Sequence, residues 1–104
     1  MGLIADFRNR KEIDAFGHWM GDQMLRRLPA QDVPNEKKRV AEIEITLGHA
    51  QGYQRKNGLG YFGKSRLINS LQWKLIENGY DADAARSIGF EIARRIAAPN
   101  QKAA

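Results

Sequence analysis

The chain has 104 residues, 42% hydrophobic and 28% charged, with 10 Gly, 3 Pro, no Cys and a formal net charge of +5, which fits one small globular domain with no room for a second core. Without cysteine there can be no disulfide, thiolate metal site or cysteine nucleophile. No apolar run approaches the ~20 residues of a bilayer span, the first ten residues lack the apolar stretch of a secretory signal, and Asp6 stands where a myristoylation site has Ser or Thr, so a soluble cytoplasmic protein with no membrane partner is expected.

Asn9 followed by Glu12 reads as a capping pair, and Ile13, Phe16, Met20, Met24 and Leu28 recur at helical spacing up to Pro29, which predicts a first helix over 9–28. Trp19 falls off this stripe, and Gly17 and Gly21 lie beside it. A linker with two prolines follows, after which Asp32 or Asn35 is placed to cap a second helix with Pro34 in its first turn. Residues 40–47 alternate as a strand does, yet Val40, Ile43, Leu47 and Ala50 also make a helical stripe. A lone strand cannot satisfy its backbone, and no partner strand is visible, so a helix over 35–56 is expected, weakened by Gly48 and Gly52. The pairs Gly17/Gly21 and Gly48/Gly52 mark places where helices can approach closely.

Asn57-Gly58 ends the second helix, and a loop is expected up to Lys64. A third helix over 65–78 carries Leu67, Ile68, Leu71, Leu75 and Ile76 and closes at Gly79. Asp81 caps a fourth over 82–98 with Ala85, Ile88, Ile92 and Ile96 inward, Pro99 ends it, and a mobile tail follows. The fold class expected is all-α: a compact four-helix domain with short loops. Its off-stripe aromatics leave apolar surface for a homodimer or other homo-oligomer.

The charge is uneven. Residues 1–50 hold as many acids as bases, whereas 51–76 hold Arg55, Lys56, Lys64, Arg66 and Lys74 and no acid. A positive field there favours a polyanion, because neutralising phosphates releases their counterions. Gly58-Leu59-Gly60-Tyr61-Phe62-Gly63-Lys64-Ser65 matches the P-loop pattern letter for letter. That chemistry needs a strand delivering the loop and an acid ending another strand for Mg²⁺, and neither is present, so no nucleotide hydrolysis is expected. A weaker version survives, in which glycine amides and Lys64 at a helix start cradle one phosphate.

On helical wheels Trp73 lies opposite the Leu67/Ile68/Leu71/Leu75 arc, among Arg66, Asn69, Ser70 and Lys74, while Phe90 lies between Arg86 and Arg94. Aromatics among cations stack on bases or anchor protein interfaces. A helix-turn-helix reading of the last two helices fails where Arg95 takes an apolar position, leaving a helical hairpin. His18 and His49 lack metal-ligand spacing, and Ser65 and Ser70 lack a visible His/Asp arrangement. No enzyme, cofactor or metal is therefore expected. The leading expectation is a small basic nucleic-acid-binding protein, DNA or RNA, of the kind phages and plasmids encode. Arg55, Lys56, Lys64, Arg66, Lys74, Arg86 and Arg94 would contact phosphates, and Tyr61 and Trp73 would stack. The alternative is an inhibitor or adaptor that binds a host protein complex, such as an anti-CRISPR-type antagonist.

Overall fold

A computed structural model describes residues 3–97. They form five α-helices, α1 (Leu3–Arg8), α2 (Arg10–Arg27), α3 (Glu36–Asn57), α4 (Tyr61–Glu77) and α5 (Ala82–Ala97), with one 3₁₀ turn at Ala30–Asp32 between α2 and α3. The all-α class holds, with one helix more than expected. The shortest dimension is 19 Å, which accommodates two layers of helices ~10 Å apart.

The core is built along the predicted stripes. Ile13, Met20, Met24 and Leu28 of the α2 segment meet Leu67, Leu71 and Leu75 of α4, all fully buried, while α5 adds Ala85, Ile88, Ile92 and Ile96. Helices α2 and α4 approach closely. A Cβ at Gly17 would stand 2.6 Å from Ser70 Cβ and 2.7 Å from the Leu67 carbonyl oxygen, and one at Gly21 would stand 2.6 Å from Lys74 Cγ. These two helices run parallel, with Asp14 beside Arg66 and Asp22 beside Lys74. Helix α3 runs antiparallel to α2, with Tyr53 against Phe16 and His49 against Trp19.

Several local expectations are corrected. Asn9 makes no side-chain cap; the backbone passes through it, its N–H donating to Ala5 and its carbonyl accepting from Ile13. Helix α1 precedes it, unmarked in sequence because Leu3, Ile4 and Phe7 are exposed and form no buried stripe. Residues 40–47 are helical. Asn35 caps α3 by accepting from the Lys38 amide at 3.1 Å, while Pro34 precedes the cap and Asp32 sits in the 3₁₀ turn, ion-paired with Lys38 at 3.6 Å. The inward face of α3 keeps Leu47 and Ala50 of the expected stripe, with Ile43 packed at its border, and adds Glu42 and Thr46, while Val40 stands outside at 48% exposed. Helix α4 starts at Tyr61 rather than near Ser65, so the connecting loop is only Gly58–Gly60.

Gly79, at φ 109°, and Tyr80 close α4 with the two bonds of a Schellman turn, Gly79 N–H to Ile76 and Tyr80 N–H to Leu75. Asp81 caps α5 through the Ala84 amide at 3.2 Å. The expected end of the last helix at Ala98, the stop at Pro99 and the mobile tail lie outside the described residues.

Candidate nucleic-acid interface

The P-loop-like letters fall on a structural joint. Gly58 is the left-handed cap of α3, at φ 58°, Gly60 is the N-cap of α4, and Gly63 to Ser65 are already helical. The amides that a phosphate would use are taken. The buried Asp6 carboxylate of α1 accepts from Gly60 N–H at 2.9 Å and from Gly63 N–H at 2.8 Å. Gly63 is glycine because a Cβ there would lie 2.7 Å from the Asp6 carboxyl carbon. The protein's own anion thus occupies the phosphate cradle expected from the sequence, where it complements the α4 dipole. Lys64 stands beside this joint, half-buried, with no acid in reach among the described residues.

The acid-free stretch is also compensated in space. Arg66 Nε and Nη2 donate to the two Asp14 oxygens at 2.9 and 2.8 Å, and Ser70 Oγ donates to Asp14 at 2.8 Å. Burial works against the Asp14 charge, but these hydrogen bonds and the Arg66 charge outweigh it and hold the carboxyl below its ordinary value. Lys74 lies 3.3 Å from Asp22, its stem packed over Gly21. Acids of α2 therefore neutralise two of the five cations of that stretch. Arg86 and Arg94 are paired along α5 with Asp83 at 3.6 Å and Glu91 at 2.8 Å. Tyr61 is 87% exposed, and Trp73, 55% exposed, borders a shallow hollow with Asn69, Gln72, Ile76 and Arg86.

Arg55 and Lys56 differ. They end α3, are exposed, and have no acid partner among the described residues. They stand at the end of an open groove of about 730 Å³ between α2 and α3, bordered by Glu12, Phe16, Trp19, Gly48, His49, Gly52, Tyr53, Lys56 and Asn57. Its wall is an aromatic ladder. Phe16 stacks on Tyr53 with centroids 4.3 Å apart at 14° and on Trp19 at 5.3 Å and 29°, and His49 meets the Trp19 edge at 4.9 Å. Burial, and then the Glu12 charge, push the Tyr53 phenol above its ordinary value. A smaller hollow lined by Arg8, Arg10 and Lys11 adjoins the groove at their common border, Glu12. Arg8, Arg10 and Lys11 thus share one hollow with Glu12, and Lys56 lines the groove that Glu12 also borders.

Sequence reasoning placed Arg55 and Lys56 correctly on a helix end but missed the aromatic wall. Its trace was present in two aromatic or imidazole pairs at helical spacing, Phe16/Trp19 and His49/Tyr53. Gly48 and Gly52 do not mark a close helix approach, since a Cβ at Gly48 would meet nothing within 4 Å. A second groove of about 540 Å³, between α3 and α5, is bridged by the Arg95–Glu44 ion pair. No group of three His, Cys, Asp or Glu able to hold a metal ion occurs among the described residues, and no helix there is long and apolar enough to cross a membrane. No family model, no curated protein and no solved structure matches this chain.

Proposed function

We propose that this chain is a small basic, non-enzymatic nucleic-acid-binding protein that holds the phosphate backbone at the joined ends of α2 and α3. The observation that carries the reading is that Arg8, Arg10, Lys11 and Lys56 line two adjoining hollows that share Glu12 beside an aromatic wall, with Arg55 over Gly52, while Arg66 and Lys74 have their acids. Uncompensated cations at one end focus a positive field there, and phosphate neutralisation releases counterions. Lys64 belongs to the same binding set. Arg66 and Lys74 act structurally in this reading, which revises the set expected from charge alone.

The test is affinity for generic DNA and RNA as a function of salt. Log K should fall linearly with log salt, and Arg55→Ala and Lys56→Ala should each weaken binding and flatten the slope by roughly one unit, with stability within about ±0.5 kcal/mol of wild type. Absence of binding at low salt would overturn the reading.

A second reading, attachment to a protein, is favoured by Trp73 and Phe90, 55% and 70% exposed, beside Arg86 and Arg94, because aromatics and arginine concentrate binding energy at interfaces. Its simplest form is a homodimer.

A further inference from the structure

We propose that the groove between α2 and α3 takes an unpaired base of a single-stranded nucleic acid, stacked along the Phe16/Trp19/Tyr53 wall over a floor of bare helix backbone at Gly48 and Gly52. The inference rests on the nucleic-acid reading above and specifies its ligand.

The glycines are the first observation. Each interior helix glycine disfavours the helix by about 1 kcal/mol relative to alanine, and elsewhere the packing explains it. Gly17 and Gly21 lie against α4, Gly63 against Asp6, and Gly89 against Gln72. Gly48 has open space where its Cβ would be, and the nearest atom at Gly52 is the Arg55 guanidinium, 4.0 Å away. Four residues apart on one helix, they keep a strip of α3 free of side chains, and the strip faces the groove. Their absence of bulk serves no contact among the described residues; what it maintains is space.

The shape and chemistry of that space fit one occupant. At about 730 Å³ it is within the ~300–1,000 Å³ of clefts that hold small ligands. Its wall presents aromatic rings, on which every base has a face to stack, whatever the sequence. His49 Nε2, on the same wall, is shielded from water without a hydrogen-bond partner. Arg55 reaches over the floor and Lys56 stands at the rim, both without acid partners among the described residues, so a base in the groove places its phosphates among cations. A base stacked inside a duplex cannot enter a groove between two helices, which makes the ligand single-stranded. A partner helix laid on the glycine strip, the other way to use bare backbone, would leave Arg55 and Lys56 without anions unless it were acidic.

The experiment uses the whole chain with 12-nucleotide oligo-dT, oligo-U and a 12-base-pair duplex. In a Trp73→Phe background Trp19 is the only tryptophan left of the two, and its fluorescence should be quenched by either single strand. Trp19→Ala should weaken single-strand binding about 5- to 150-fold, the equivalent of ~1–3 kcal/mol for one stacked base, with the salt slope nearly unchanged. Gly48→Leu fills the floor from an open helical position, so it should fold as wild type and lose the same affinity even if Trp19→Ala proves unstable. Arg55→Ala should change the slope instead. Equal affinity for duplex and single strands, with Gly48→Leu binding as wild type, would overturn the groove while leaving the nucleic-acid reading in place. Binding of none of the three would overturn both, and loss of an acidic helical peptide in the Gly48→Leu variant would then assign the groove to a protein.

Discussion

Arg66 shows how far a residue's meaning depends on a neighbour distant in sequence. Within 51–76 it is one of five cations without an acid, yet Asp14 holds it in a two-pronged pair, and Ser70 completes the carboxylate's shell. Hydrogen bonds to charged groups contribute ~1.5–3 kcal/mol when shielded and less when exposed; with both side chains about one-third exposed, Arg66→Ala should cost about 1–2 kcal/mol. The same substitution should leave the salt slope of nucleic-acid binding unchanged, the reverse of Arg55→Ala, and melting and titration of the two variants distinguish the roles. Because the Asp14 carboxyl is held below its ordinary 3.8 in the folded state, its contribution is fully present above that value and is lost as pH falls through the folded one. The difference in melting temperature between wild type and Asp14→Asn should therefore be constant near neutrality and shrink below about pH 4; a difference that persists unchanged to pH 2 would assign the effect to packing instead. That pairing was not legible in the sequence, because it needs the register of α2 on α4, for which only the Gly17/Gly21 spacing gave a hint.

At the scale of elements, helices with an aliphatic stripe were readable, α3 lies close to its expected bounds, and α1, which buries no stripe, was missed. Helices α2, α4 and α5 follow from aliphatic residues three and four apart, and Gly79 and Asp81 from turn and cap chemistry. Helix α1 buries only Asp6, so hydrophobic periodicity had nothing to register. The early start of α4 was hidden because its N-cap is Gly60 and the carboxylate that satisfies its amides comes from Asp6, more than fifty residues away. Likewise α3 turns Glu42 and Thr46 inward and leaves Val40 outside, which residue type alone would not assign. The glycine pairs separate these cases experimentally. Gly17→Ala forces a Cβ into Ser70 and the Leu67 carbonyl and should destabilise the fold by about 1–3 kcal/mol, whereas Gly48→Ala meets open space and should stabilise it by up to ~1 kcal/mol. Equal melting temperatures for the two would mean that α2 and α4 are not in this register.

For the whole molecule, the arrangement of charge and apolar surface separates two uses of opposite chemistry. The end where α2 begins and α3 finishes carries Arg8, Arg10, Lys11, Arg55 and Lys56, while α4 and α5 carry Trp73 and Phe90 outward beside arginines already paired within their own helix. Covering a Phe side chain contributes ~1.5–3 kcal/mol, and specific interfaces bury ~800 Å² on each partner, an area that the broad faces of a molecule 38 by 30 by 19 Å provide. If the homodimer forms through this face, sedimentation at micromolar concentration should give about twice the 11.8 kDa of one chain, and Phe90→Asp, at a position already 70% exposed, should return the monomer without lowering the stability of the fold. Because the proposed nucleic-acid groove is built from other helices, the monomeric variant should keep its affinity for a 12-nucleotide strand and lose affinity only for strands long enough to reach two grooves, where the second contact benefits from the effective concentration set by the first. A single-chain mass for wild type at all concentrations would refute the homodimer, and a loss of short-strand affinity in Phe90→Asp would place the nucleic acid on the α4–α5 face instead.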